Sequence, residues 1–167
     1  MHGNSFKLVA ESLKLYCADM PKPRRALDVG SYDVNGSYAR LFDGDYYTGA
    51  DLHEGPNVHV VLPEPYVLPF EPDTFDIVVC GQTLEHSPQP WRLVSAMGWV
   101  LKESGVLIIV APGDGPWHME PDTFRFRPGG MWGLAQWAGM RLVECRQESA
   151  PPWNDVLAIM RKGTLDE

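Results

Sequence analysis

The chain has 167 residues, 44% of them hydrophobic and 22% charged, and a formal net charge of −8 at pH 7. That length suits one domain and buries enough surface for a core without disulfide or metal staples. The acidic balance and the scatter of Lys and Arg argue against a broad basic face of the kind nucleic-acid binders carry, so no nucleic-acid partner is expected; the basic stretch PKPRR at 21–25 is short enough to be a solvated linker. In chain order, residues 5–19 place Phe6, Val9, Leu13, Tyr16 and Cys17 on one helical face, with Asn4 or Ser5 as the cap and Pro21-Lys22-Pro23 as the stop. A buried strand follows at 25–30, a short helix at 35–42, and strands at 46–51 and 57–62. The very apolar segment 75–81 reads as a central parallel strand. A helix over 90–105 opens on Pro90 and closes on Gly105, and a fifth strand runs over 106–112. A glycine-bounded helix at 129–140 precedes the last two strands, 141–147 and 155–163.

Strands alternating with helices predict a doubly wound, Rossmann-like α/β sheet. The last two strands are joined by too few residues for a parallel crossover, so they pair as a hairpin and leave an antiparallel last strand. The gap between the second and third strands is too short for a helix, which makes the third strand short and places it at the edge. The expected organisation is one domain over 1–167, with an N-terminal helix and linker at 1–22 and the core at 23–163. The longest apolar run, 105–112, falls far short of the ~20 residues that cross a bilayer, so no membrane partner is expected. The N-terminus MHGNSFKLVAESLK has no apolar stretch followed by a small-residue cleavage site, so no signal peptide is expected. Cys17, Cys80 and Cys145 are odd in number and far apart. They offer no disulfide framework and no metal-ligand spacing, which points to a reduced, cytoplasmic chain without a metal.

Several segments carry candidate chemistry. Leu27-Asp28-Val29-Gly30 runs from a buried strand into a turn, and Gly36 follows in the same loop. A dinucleotide fingerprint needs G-x-G-x-x-G, and here the middle glycine is missing. A nicotinamide-linked oxidoreductase is therefore disfavoured. Asp51 ends the second strand 23 residues after Asp28, where a carboxylate can accept both hydroxyls of a ribose. The alternative for Asp51 is a helix cap or turn acid. The loop 62–70 offers Glu64 to an exocyclic adenine amine and Tyr66 as a stacking ring, or else is a proline-stiffened surface loop.

The segment 72–94, PDTFDIVVCGQTLEHSPQPWRLV, carries a resemblance. It is similar to class I S-adenosylmethionine (SAM)-dependent methyltransferases whose fourth strand runs into an L-E-H turn, here Leu84-Glu85-His86. The following Val100-Leu101-Lys102-Glu103-Ser104-Gly105 and VLIIVAP continue the pattern, with Ser104 in place of the usual first glycine. The resemblance covers roughly 25–163 in matching order. It implies a SAM cofactor, with Asp28, Gly30, Ser31 and Tyr32 near its methionine part. Asp51 and Leu52 would lie at the ribose, Glu64 and Tyr66 at the adenine, and Gly81 and Gln82 on the methionine side. It also implies methyl transfer to an O, N or C nucleophile by in-line displacement; a small molecule is the preferred acceptor, with a protein side chain left open. The acid at the strand end suits the cationic amine and sulfonium of SAM. The glycine-poor first loop and the missing helix between strands two and three depart from the family's pattern. His86 and His118 are the candidate general bases; each also reads as a loop-fixing residue. Trp117, Arg125, Arg127 and Trp153 are candidates to shape an acceptor pocket. A non-catalytic SAM-binding partner protein is the alternative function. The acceptor and the oligomeric state are not legible.

Overall fold

The computed structural model describes residues 3–163. Residues 1–2 and 164–167 of the expected 1–167 span lie outside the described residues. Seven strands form one sheet: β1 (Arg25–Val29), β2 (Tyr46–Asp51), β3 (Val60–Val61), β4 (Phe75–Gly81), β5 (Leu101–Ala111), β6 (Met140–Gln147) and β7 (Val156–Lys162). Their order is β3-β2-β1-β4-β5-β7-β6. The pairs from β3 to β5 are parallel, and β7 runs antiparallel to both β5 and β6. The final hairpin and the short edge strand β3 match the sequence expectation.

Alternation along the strands sorts the core into two layers. Ala26, Ile77, Val79, Val106, Ile108 and Ile159 face helix α1 (Gly3–Tyr16). Leu27, Val78, Cys80, Leu107, Ile109 and Ala158 face α2 (Pro90–Val100) and α3 (Pro128–Trp137). Ile77, Val78 and Val79 are each 0% exposed, and burying a side chain of this kind stabilises the fold by roughly 1.5–3 kcal/mol. On α1 the buried stripe is Ser5, Leu8, Val9, Ser12 and Leu13, the i, i+3, i+4 spacing of one helical face.

Four local expectations are corrected. Asn4 and Ser5 lie inside α1 and do not cap it; Asn4 Nδ2 donates to Asp155 at 2.8 Å, and the Ser5 hydroxyl bonds that of Tyr38. The helix expected at 35–42 is only a 3₁₀ turn, Ala39–Phe42. The Asp33 carboxylate accepts the Gly36 N–H at 2.5 Å, so turn chemistry at Asn35-Gly36 wins over helix. The helix expected to reach Gly105 stops at Val100. The carbonyls of Trp99 and Val100 accept the N–H groups of Asp73 and Thr74, Leu101 pairs with Phe75, and regular pairing resumes at Val106 after a bulge. The strand expected over 57–62 pairs only at Val60–Val61.

The connections run outward in opposite directions from β1 and β4. The β1/β4 boundary is therefore the switch point of the sheet, and ligands of open α/β sheets bind beyond the strand C-termini at such a point.

Candidate cofactor and acceptor site

The chain leaves β1 through Gly30 and Ser31, whose N–H groups both reach the Ala50 carbonyl, at 2.9 and 3.2 Å. Gly30 has φ +82°, and a Cβ there would meet the Thr83 hydroxyl at 2.0 Å. Only glycine serves both the left-handed turn and the close approach of the β4 exit. Across the switch point, Gly81 is constrained by close approach alone: a Cβ would fall 2.1 Å from the Tyr38 hydroxyl. The next residue, Gln82, sits at φ +56°, uncommon for a side-chain-bearing residue. Its Nε2 donates to Asp155 at 3.1 Å, which ties the β4 exit to the start of β7.

Asp28 is 2% exposed, and its carboxylate accepts the Tyr47 hydroxyl at 2.6 Å. Asn57 donates to that same hydroxyl at 2.8 Å and to the Ser31 carbonyl at 2.9 Å. Burial pushes the Asp28 carboxyl up to about 7; the Tyr47 hydrogen bond opposes this, and the charge of Asp51 reinforces it. Asp28 is thus a buried acid beneath the β1 loop, paired with a neutral hydroxyl.

Asp51 accepts the N–H groups of Tyr32 and His53, each at 3.1 Å. A carboxylate has about four acceptor positions, so capacity for a diol is left on both oxygens. Tyr32 and Leu52 are exposed beside it. A Cβ at Gly55 would sit 2.2 Å from the Tyr32 ring, so the loop after β2 is seated on the loop after β1. Glu64 is exposed and bridges to Val67. The Tyr66 hydroxyl accepts the Gln89 N–H at 3.1 Å, and the Arg92 guanidinium lies 4.7 Å from its ring centroid. Tyr66 therefore already anchors the start of α2. A cleft of ≈ 620 Å³ lies beside the first loop, lined by Phe6, Asp33, Gly36, Ser37 and Arg40 among others. It is lined by none of Asp28, Gly30, Asp51 or Gly81, so the strand tips, where the acids and tight turns converge, mark the cofactor crevice better than the cleft does.

Beyond β4 the chain forms a 3₁₀ turn, Leu84–His86. Thr123, from the link between β5 and α3, donates its N–H and hydroxyl to the Glu85 carbonyl, both at 2.7 Å. This brings together the two histidines singled out in the sequence: the rings of His86 and His118 lie 4.9 Å apart, centroid to centroid. His118 in turn meets Trp153 edge-on at 5.0 Å. The His86 Nδ1 is 2.5 Å from the Pro121 carbonyl. A carbonyl only accepts, so Nδ1 carries the hydrogen and Nε2 keeps a lone pair. The His118 Nδ1 is 3.2 Å from Asp122, which pairs with Arg125; that guanidinium holds the Asp122 carboxyl well below the usual range.

Glu85 escaped the sequence reading as a site residue. It is 0% exposed, and neither carboxylate oxygen has a hydrogen-bond partner. Burial pushes its carboxyl up to about 8. A carboxylate next to the candidate His86, in the turn that leaves the very apolar fourth strand, was the available signal. Conversely, Arg125 and Arg127 are not free anion clamps: Arg125 is held by Asp122 and the Pro116 carbonyl, and Arg127 by Asp114 and Gln147. Trp117 is 66% exposed.

The methyltransferase-domain family matches residues 27–109, about half of the chain, spanning β1 to β5. The chain belongs to the SAM-dependent methyltransferases. No curated protein matches its sequence. Among solved structures, this methyltransferase is similar to 1,6-didemethyltoxoflavin-N1-methyltransferase from Burkholderia thailandensis, which was solved with its acceptor and S-adenosylhomocysteine. The TM-score is 0.74 at 17% identity, covering 96% of this chain and 79% of that one. The YcgJ protein from Bacillus subtilis matches with TM-score 0.71 at 14% identity over 98% and 100% of the two chains. The [4+2]-cyclase SpnF matches with TM-score 0.70 at 12% identity over 95% and 82%. At these identities the likeness is one of fold. The cofactor of the methyltransferase is SAM, and the donor set fits it: an acceptor-only carboxylate at the β2 tip for a diol, and a buried acid at the β1 tip for a cationic head. Among the described residues no helix is long and apolar enough to cross a membrane, and Cys17, Cys80 and Cys145 are unpaired.

Proposed function

We propose that this methyltransferase, as one SAM-binding domain, methylates a nucleophilic atom of a small molecule held at the edge of His86, His118 and Trp153. The convergence of those three side chains, from three separate inter-strand links at the C-terminal edge of the sheet, carries the reading. The acidic chain and the already paired Arg125 and Arg127 favour an acceptor without several negative charges. SAM supplies an electrophilic methyl on a sulfonium. The chain's task is then alignment, and holding two reactants in near-attack geometry is worth ~7–11 kcal/mol.

In this reading Asp51 takes the ribose diol, and Gly30, Ser31 and Gly81 let backbone approach the methionine part. Tyr32 and Leu52 border the ribose. Glu64 lies toward the adenine amine, with Tyr66 as a neighbouring wall anchored by Gln89 and Arg92. Gln82 holds the β4 turn in its left-handed conformation through Asp155. Either His86 or His118 can take an acceptor proton, because each has an unprotonated ring nitrogen once its Nδ1 hydrogen is committed. Calorimetry with S-adenosylhomocysteine, followed by methyl transfer from labelled SAM to a panel of phenols, amines and enols, tests the proposal. Binding without transfer to any class of acceptor would favour a SAM-binding partner protein, and no binding would remove the reading altogether.

A further inference from the structure

We infer that Glu85, His86 and His118 form a binding site for a divalent transition metal of the zinc class, with a position left open toward the acceptor. One ligand atom from each residue lies within 4.8 Å of the others, and the His86 Nε2 is 3.8 Å from the Glu85 carboxylate. Ligand atoms around a tetrahedral zinc at ~2.0–2.2 Å stand about 3.3–3.6 Å apart, so side-chain adjustments of up to about 1.5 Å close the set.

Three features separate this cluster from a chance grouping. The Glu85 carboxylate is fully buried and both its oxygens lack a partner, a costly state that a cation relieves. Each histidine spends its Nδ1 hydrogen on an oxygen, His86 on the Pro121 carbonyl and His118 on Asp122. That arrangement fixes the tautomer, leaves Nε2 as the ligand and resembles the outer-shell support of metal-bound histidine. Asp122 is itself held by Arg125. Finally, Thr123 ties the two loops that deliver the ligands through the Glu85 carbonyl. Two imidazoles and one carboxylate make the donor set of a zinc site that keeps a fourth position for water or substrate. The site rests on the functional reading above and deepens it: with the metal held, the two Nε2 atoms are ligands in place of bases, and the class of acceptor selected carries an ionisable oxygen, a phenol or enol, able to occupy that fourth position as an anion.

The test is Zn²⁺ binding to the full chain, by competition with a chromogenic chelator, and Co²⁺ absorption in the visible, each with and without S-adenosylhomocysteine. The expected result is one Zn²⁺ per chain and a Co²⁺ spectrum of nitrogen and oxygen ligation. Glu85→Gln and His118→Ala should weaken binding at least tenfold, and Asp122→Asn by ~10–100-fold. Glu85→Gln replaces a buried carboxyl that has no side-chain hydrogen-bond partner with a neutral amide of the same shape, so its metal-free melting temperature should change little, which separates loss of the site from loss of the fold. Absence of Zn²⁺ binding, or binding unchanged in Glu85→Gln and His118→Ala, overturns the inference. S-adenosylhomocysteine binding in those same samples decides independently whether the cofactor reading stands.

Discussion

Asp28→Asn gives the sharpest test of the electrostatics beneath the cofactor loop. The carboxyl is 2% exposed and shifted upward to about 7, against an ordinary value near 3.9 in the unfolded chain. In the intervening pH range the folded state binds more protons than the unfolded state. Stability from this group therefore falls as pH rises through that window, and the loss is complete above about pH 7. Integrating the shift between about pH 5.5 and about pH 8 gives a loss of roughly 2 kcal/mol. For a chain of this size that is about 4–8 °C in melting temperature. Asparagine can still accept the Tyr47 hydroxyl, and any cost of its amide hydrogens is the same at both pH values. The readout is the difference in melting temperature between the two pH values, wild type minus variant, without ligand. Glu85, whose carboxyl is also raised, contributes a slope of the same sign that persists in both proteins and cancels. If Asp28→Asn retains the full wild-type pH dependence, the carboxyl titrates normally, and the account of a buried acid awaiting a cationic ligand is wrong.

Three further outcomes follow from the geometry. Gly30→Ala combines a strained φ with a clash against Thr83, so chemical denaturation should show a loss of at least ~1–3 kcal/mol together with weaker S-adenosylhomocysteine binding. Asp51→Ala removes a charged hydrogen-bond acceptor at the β2 tip; calorimetry should show S-adenosylhomocysteine affinity reduced by about 10–100-fold while the far-ultraviolet circular dichroism stays native. Arg24 is 6% exposed and its guanidinium meets Asp45 through three N–O contacts of 2.5–3.1 Å; Arg24→Ala leaves the Asp45 carboxylate with only the residue-24 backbone N–H and the Lys22 ammonium and should cost ~1–3 kcal/mol in urea unfolding, with cofactor affinity little changed in the folded fraction.

The sheet was legible because its signals are local. A continuous apolar run such as 75–81 has few alternatives, and the span between β6 and β7 is too short for anything but a hairpin. Helix limits were less legible where tertiary hydrogen bonds decide them. Lys102–Gly105 suits a helix by composition, yet Leu101 is claimed by Phe75, and Lys102 reaches Asp76 at 2.7 Å. At the site, acids and glycines at strand ends could be named from spacing alone. What spacing could not supply was the pairing of side chains far apart in the chain. Arg125 and Arg127 read as candidates to shape an acceptor pocket until their partners Asp122 and Asp114 were in place. Glu85 read as part of a turn motif until its burial removed every ordinary reason for a carboxylate to be there.

Two buried acids stand on either side of the switch point, and their surroundings assign them different work. Asp28 has a neutral hydroxyl donor and lies beneath the loop where a cationic head would come to rest, so its charge can be matched by the methyl donor. No other side chain donates to the Glu85 carboxyl, and its neighbours are two imidazoles whose Nδ1 atoms are already engaged by oxygens behind them. A packing role would have been served better by leucine. A cation is the partner that answers both the empty carboxylate and the oriented imidazoles. On the proposed function the same edge of the sheet divides into a half that would bind the donor and a half that would prepare the acceptor, a division the glycine loop alone would not reveal.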